Sequence, residues 1–536
     1  MHASFRQIYL RFACALAAAS LAVGCATTTV VTDPLKLDAK SELKPVVLSV
    51  TANTSEIRGF DHITVVRVSE LQAKGEPDVT QNFILKQVVP GMARDTSLFI
   101  GSLPPGEYFF ASLSDSKSNK ILRIPAASKL LEHFVVSAAR PVDLGRIVVT
   151  PLNTNVVYGR SKKVTSNNLL MQRFSPQHAA LFAGEVDKGW KIDPAGSAGE
   201  AVEAYAMGKP VGAECITELA DGSVLAASRL GTVLRRSPAG RWGAVQSDGL
   251  ESLLCVIPSD LPDTELIAVG EFNTLLRKPR NAHKLVPIDT GDLPAGNLLR
   301  IYGDAANGWV LAQQRGQEIT LYHSAKLDAG TWTALRKESL TSNFWTGGAA
   351  FWMWKTPAGF GYVTYSGPFR FYDAAARTWR EAAIPNNARI VNVSENPNGE
   401  LGLLTSPGGG FGGIFASAWY SKDQAATWKP LELPYKIKTF PVQFTADGAM
   451  LSAGGAMSTP ELQISRDQGR TWAHHAVYDL ERHFVTLKSG AMIDTNGGAF
   501  GLFSIRGSKD GGKTWDYEYS NFDKAIYDMK AAGGTK

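Results

Sequence analysis

One phrase is written three times near the end of the chain: YSKDQAATW at Tyr420 to Trp428, ISRDQGRTW at Ile464 to Trp472 and GSKDGGKTW at Gly507 to Trp515. Its closing Trp belongs to a longer series. Trp332, Trp379, Trp428, Trp472 and Trp515 are separated by 47, 49, 44 and 43 residues, and Trp242 lies 90 before Trp332, two periods with the middle Trp missing. Seven consecutive stretches share the form strand, Asp-Gly-type turn, strand, loop, strand, turn, Trp, and they begin near Cys215, Leu254, Arg300, Gly347, Ile390, Pro441 and His483. Four short strands in forty-odd residues is the arithmetic of a propeller blade. No 3.6-residue apolar period supports a helical solenoid. The expectation is an all-β chain with a seven-bladed β-propeller over 165–520. Asp187-Lys188-Gly189-Trp190 reads as a further Trp mark, so eight blades is the alternative.

Each copy of the phrase falls where the third strand of a blade turns into the fourth. There Ser421, Ser465 and Ser508 precede Asp423, Asp467 and Asp510, whose carboxylates can accept from backbone N–H groups that lose their partners as the strands part. Gly469 and Gly512 supply a positive φ. Thr427, Thr471 and Thr514 suit the following strand, and Trp428, Trp472 and Trp515 bury a large ring between neighbouring sheets while the indole N–H finds an acceptor. The phrase resembles the Asp-box, or BNR repeat, of sialidases, sortilin-type receptors and Ycf48-type photosystem assembly factors. Two copies match fully, and the third has Ala425 where Gly is usual. Degenerate versions occur at Asp373 to Trp379 and Asp328 to Trp332. The resemblance implies the propeller, and it places these residues on the blade periphery in a structural role.

Ahead of the repeats, the first 25 residues carry Arg6 and Arg11, then ACALAAASLAVG, an apolar run too short to span a bilayer comfortably. Ala22-Val23-Gly24-Cys25 resembles a bacterial lipobox, which implies cleavage before Cys25, lipid attachment to it and, with Ala26 following, an outer-membrane lipoprotein facing the periplasm, with surface exposure open. A plain cleaved signal is the alternative. Residues 26–44 are polar and aperiodic, as in a tether. Residues 45–151 hold about seven alternating apolar stretches, a β-sandwich pattern, and SLFIGSLPPGEYFFASL resembles the hairpin of prealbumin-like sandwich modules. Residues 521–536 read as a polar tail.

Removing residues 1–25 takes away two Arg and no acid, so the net charge falls from +5 to +3. With no Lys/Arg block, nucleic acid is disfavoured as a partner. Cys215 and Cys255 are the only thiols of the folded body and occupy matching places in the innermost strands of adjacent blades. They can form a bridge, or remain two small buried side chains.

No catalytic residue, metal ligand or cofactor emerges from motifs. His-Glu-x-x-His, Cys-x-x-Cys and Gly-x-Ser-x-Gly are absent. Leu122-Arg123-Ile124-Pro125 imitates the first Arg motif of sialidases, but it lies in the sandwich and lacks the aromatic. His474-His475 sits on an outer strand where neighbours point apart. Ser406 to Gly413 is a Gly-rich blade loop, and Phe351-Trp352-Met353-Trp354 reads as blade packing or a ligand surface. The expected function is a lipid-anchored, non-catalytic binding or assembly module whose propeller face meets a protein or glycan. The alternative is a sialidase-like glycoside hydrolase.

Overall fold

The computed structural model describes residues 29–523, apart from 32, 38–39, 55–59, 69–81, 89–91, 117–118, 126–127, 129, 154, 164–166, 192–197, 341–350, 397, 407–415, 436–439, 457–458, 479–482 and 498–500. The signal segment with Cys25 and most of the Gly-rich loop therefore lie outside the described residues.

The N-terminal strands are β1 (Thr29–Val31), β2 (Lys44–Ala52), β3 (His62–Arg67), β4 (Asn82–Gln87), β5 (Thr96–Leu103), β6 (Gly106–Asp115), β7 (Lys120–Arg123), β8 (Phe134–Val136), β9 (Val142–Leu152) and β10 (Asn155–Arg160). They form one hydrogen-bonded sheet in the order β10-β9-β2-β5-β4-β3-β6-β7, with β1 on β4 and β8 on β6. The expected two layers are thus continuous, and the sheet rolls into a barrel-like wall. Val46, Ile63, Phe99, Phe110, Phe134, Ile147 and Tyr158, from strands at both ends of that order, share one core. The stretch expected as a tether contributes β1 and a buried Pro34. Trp190 is no eighth blade mark. Its ring packs on Phe110 and Phe134, its indole N–H donates to the Leu144 carbonyl at 2.8 Å, and its backbone bridges to Phe134.

Seven four-stranded antiparallel sheets follow, each built from one continuous segment. Blade 1 spans Glu214–Glu218 to Trp242–Gln246 and blade 7 spans His483–Thr486 to Asp516–Ser520. Blade strands therefore begin later than residue 165. Helices Asn167–Phe174 and Ala198–Gly208 occupy the interval.

Period-2 alternation explains how sheets become a ring, because successive side chains on one strand point to opposite neighbours. In blade 1, Leu225 and Ala227 pack toward blade 2, whereas Val224 and Ala226 pack toward blade 7. In blade 2, Leu266 and Ala268 face blade 1 while Ile267 and Val269 face blade 3. The same division gives a separate apolar core at every one of the seven blade junctions. The recurring tryptophans each pack back toward the preceding blade. Trp332 belongs to the core between blades 2 and 3, Trp379 to 3 and 4, Trp428 to 4 and 5, Trp472 to 5 and 6, Trp515 to 6 and 7, and Trp242 to 7 and 1. Between blades 1 and 2 aliphatic side chains fill that place, which accounts for the missing mark.

No strand is exchanged to close the ring, so side chains close it. Val211, Val224, Ala226 and Leu234 meet Leu487, Ile493, Phe503 and Ile505. Beside them the Arg236 guanidinium donates to both Glu518 oxygens at 2.6 Å, and the Trp242 indole N–H donates to the same carboxylate at 3.0 Å. The pair is almost fully buried, and two parallel charge-assisted bonds offset part of its desolvation.

Candidate functional site

The innermost strands run from the face that carries the inter-blade connections and the second-to-third-strand hairpins, here the connection face. They end at the face that carries the remaining hairpins, the turn face. The rolled sheet sits on the connection face. Val148 packs with Ala206 and Met207 of helix Ala198–Gly208 against Leu230 and Leu250. Val47 and Leu98 join Leu170 and Met171 of helix Asn167–Phe174 against Phe272 of blade 2. Asn53 accepts from the Val211 N–H at 2.8 Å, and Asn153 exchanges two hydrogen bonds with the backbone of Asp523, at 2.9 and 2.8 Å. The start of the expected polar tail is therefore stitched into the fold.

Over the axis this contact is ionic. The segment before β5 lowers Arg94 onto Glu214 of the innermost blade-1 strand at 3.1 Å, and buried Asp95 lies 3.1 Å from both Arg94 and Arg229. The Glu271 carboxylate of blade 2, fully buried, accepts from the backbone N–H groups of Arg94 and Asp95 at 2.6 Å each. The Arg94 charge holds the Glu214 carboxyl below its ordinary range despite burial. Burial, reinforced by the neighbouring Asp95 charge, pushes Glu271 up to about 7. The N-terminal domain is thus tied to blades 1 and 2 on the connection face.

On the turn face Glu395, at the end of the innermost blade-5 strand, is exposed, and desolvation by the protein around it pushes its carboxyl up to about 7. Tyr302 donates to the Met353 carbonyl at 2.8 Å, and burial, then the Glu395 charge, pushes its phenol well up. Glu218 accepts from the backbone N–H groups of Lys488 and Ser489, tying blade 1 to blade 7 at the rim.

The three repeated Ser-x-Asp turns lie on the turn face at the periphery, and their geometry repeats. Ser421, Ser465 and Ser508 each donate to the Asp two residues on at 2.8 Å and accept from the N–H four residues on, at 2.8, 2.7 and 2.8 Å. Asp423, Asp467 and Asp510 each receive the Thr N–H, at 2.8, 2.9 and 2.9 Å, and the Thr hydroxyl, at 2.5, 2.6 and 2.7 Å. Ala425, Gly469 and Gly512 have φ of +71°, +83° and +91°. The Trp acceptor is not uniform: Trp472 donates to Glu432 and Trp515 to Gly512, both at 3.0 Å, whereas the buried Trp428 nitrogen has no acceptor among the described residues.

Cys215 and Cys255 are joined as a disulfide across blades 1 and 2, S–S 2.07 Å. His474 meets Glu461 and His475 meets the Gly511 carbonyl, so the two imidazoles do not converge. Among the described residues no three His, Cys, Asp or Glu side chains are grouped to hold a metal. Phe351 and Met353 pack toward blade 3 and Trp354 toward blade 5, which makes that aromatic run blade packing. Arg123 ends β7, away from the propeller axis. A Tyr–Glu pair flanked by Arg does exist, with the Tyr362 hydroxyl 2.7 Å from Glu338 beside Arg336 and Arg370. It is walled between blades 3 and 4, and Tyr362 is 0% exposed. Nearby a groove of about 360 Å³ is lined by His323, Thr331, Thr333, Leu335, Tyr372 and Arg377.

No protein-family model and no curated protein matches the sequence. Solved propellers are similar in fold. YCF48 bound to a D1 peptide is 17% identical with a TM-score of 0.38, over 56% of this chain and 93% of that one. YCF48 from Cyanidioschyzon merolae is 14% identical with a TM-score of 0.38, over 56% and 94%. A puromycin-hydrolyzing peptidase from Mycobacterium tuberculosis is 12% identical with a TM-score of 0.41, over 60% of this chain and 55% of that one. The chain is a seven-bladed β-propeller carrying a rolled N-terminal sheet on one axial face.

Proposed function

We propose that the protein is a lipid-anchored binding or assembly module of the cell envelope, held by Cys25 at the outer membrane and meeting a protein partner with the turn face of its propeller. The observation that carries this reading is the inequality of the two axial ends. Arg94, Asp95 and Glu271 tie the N-terminal domain onto one, while the hairpins of all blades converge around the other. The direction of the chain supports the same orientation. β1 runs parallel to β4 with Thr29 opposite Asn82, and the segment beyond β4 reaches the propeller through Val88 and Met92. Thr29 therefore stands at the end of the domain away from the turn face.

Two measurements test the reading. Growth with radioactive fatty acid should label the wild-type protein and not Cys25→Ala. Affinity capture of the mature, detergent-solubilised lipoprotein should recover a protein that Lys326→Glu plus Arg377→Glu on the turn face releases, and that Arg315→Glu on the connection face retains. Absence of label in the wild type, or a partner lost only with Arg315→Glu, would contradict it.

A further inference from the structure

The hairpins of the turn face form two concentric rings of unlike charge. Those joining third and fourth strands lie at the periphery, and nearly every one carries an exposed cation: Arg241, Lys326, Arg377, Lys422, Arg470 and Lys513 come from blades 1, 3, 4, 5, 6 and 7. These six have no ion-pair partner among the described residues. Asp423, Asp467 and Asp510 accept from Thr N–H and hydroxyl groups within their own turns and stay ionised, offsetting one cation in each of blades 5, 6 and 7. The hairpins joining first and second strands border the axis and are predominantly acidic, with Asp221, Asp260, Asp304, Glu395, Glu400 and Asp447; Lys355 and Lys488 are the exceptions. Arg466 of the outer ring already reaches Asp447 of the inner one at 3.0 Å. Among the described residues Glu400 leaves one carboxylate oxygen buried without a hydrogen bond.

We infer that the occupant of the turn face is a protein whose contacting surface is acidic around its margin. The inference rests on the binding reading above and gives the partner a chemistry. A ring of exposed cations on the third-to-fourth-strand hairpins of six blades sets up a field that draws in acidic surface and favours charge-complementary docking. A long polyanion or an anionic membrane does not fit as well, because either would lie across the acidic centre, whereas a short acidic peptide can follow one arc of the outer ring. Coaxial stacking of two copies of this chain would oppose like charges in both rings.

The test uses the mature lipoprotein in nonionic detergent with three probes: a 15-residue Glu-rich peptide, heparin, and phosphatidylglycerol vesicles. Lys422→Glu, Arg470→Glu and Lys513→Glu are combined in one variant; all three positions are exposed, so unchanged melting reports an intact fold. The peptide should bind in a salt-dependent manner, lose at least ten-fold in affinity to the triple variant, and stay within two-fold for Arg315→Glu. Heparin and vesicles should bind more weakly than the peptide. Peptide affinity within two-fold of wild type in the triple variant, or tighter binding of heparin or vesicles, would overturn the inference. An envelope protein captured equally by wild type and triple variant would overturn it too, while leaving the binding reading in place. Failure of both forms to capture any protein would remove the reading on which it rests.

Discussion

A residue-scale contrast runs through the three repeated Ser-x-Asp turns, where one backbone conformation is occupied by Ala once and Gly twice. A Cβ on Gly469 would meet Leu431 Cδ1 at 2.0 Å, and one on Gly512 would meet Leu462 Cδ2 at 2.9 Å. Ala425 instead shares its core with Ala382, three residues after Trp379, where Leu431 stands three residues after Trp428. A small side chain on the preceding blade thus makes room for a methyl, and a large one demands Gly. Gly469→Ala should therefore destabilise by about 2–4 kcal/mol, from positive φ and overpacking together. Ala425→Gly should fall within about 1 kcal/mol of neutral, since relief of φ and loss of a buried methyl oppose each other. Urea midpoints would decide both. The same turns predict acid sensitivity. The Thr471 hydroxyl and N–H hold Asp467 down at about 2, and at Asp510 the Thr514 N–H and hydroxyl outweigh burial to give about 2. Depressed carboxyls stabilise fully above their ordinary range near 3.8 and lose that contribution as pH falls through 2. Unfolding free energies between pH 4 and 2 should fall less steeply for Asp510→Asn than for wild type. Thr427, Thr471 and Thr514, expected to suit the following strand, stand ahead of it and hold the Asp instead. The Asp acceptors and the positive φ were legible in the sequence because turn chemistry is local. The missing acceptor for Trp428 was not, because it depends on the neighbouring blade.

Elements were legible where period and turn signals agreed, and were missed where they did not. The blade strands follow alternation and Trp spacing, whereas β1, β7 and β10 hold apolar runs of only two or three residues and do not stand out as strands. Helix Ala198–Gly208 buries only a few positions, Val202, Ala206 and Met207 among them, too short a stripe to stand out as a period. Ring closure was also invisible, because Arg236 and Glu518 are 282 residues apart. Arg236→Met should cost about 3–5 kcal/mol by leaving Glu518 buried without its partner, and adding Glu518→Leu should restore a large part of it. Equal loss in the single and double variants would remove the ion pair from the account of closure. The Cys215–Cys255 bridge predicts no free thiol from this pair in the denatured, unreduced chain. With 40 residues between the cysteines, reduction should lower stability by about 4 kcal/mol in the chain-entropy view.

For the whole molecule, the N-terminal domain acts as a cap on one axial face, and Glu271 makes that cap pH-dependent. Its carboxyl is raised to about 7 from an ordinary 4.5, so its contribution is fully present below 4.5 and fades as pH rises through 7. Stability should decline over that window in the wild type and decline less in Glu271→Gln, as followed by calorimetry at several pH values. Single-domain reasoning from sequence could not place this contact, since Arg94, Glu214 and Glu271 come from three separate parts of the chain. The two axial faces are unequal, one occupied by the N-terminal domain and the other open. A photocrosslinking amino acid placed in living cells at Lys326 or Lys513 on the turn face, and at Arg315 on the connection face, measures this directly. Protein adducts should form from Lys326 and Lys513 and not from Arg315. Adducts of equal yield from Arg315, or from Arg315 alone, would contradict it.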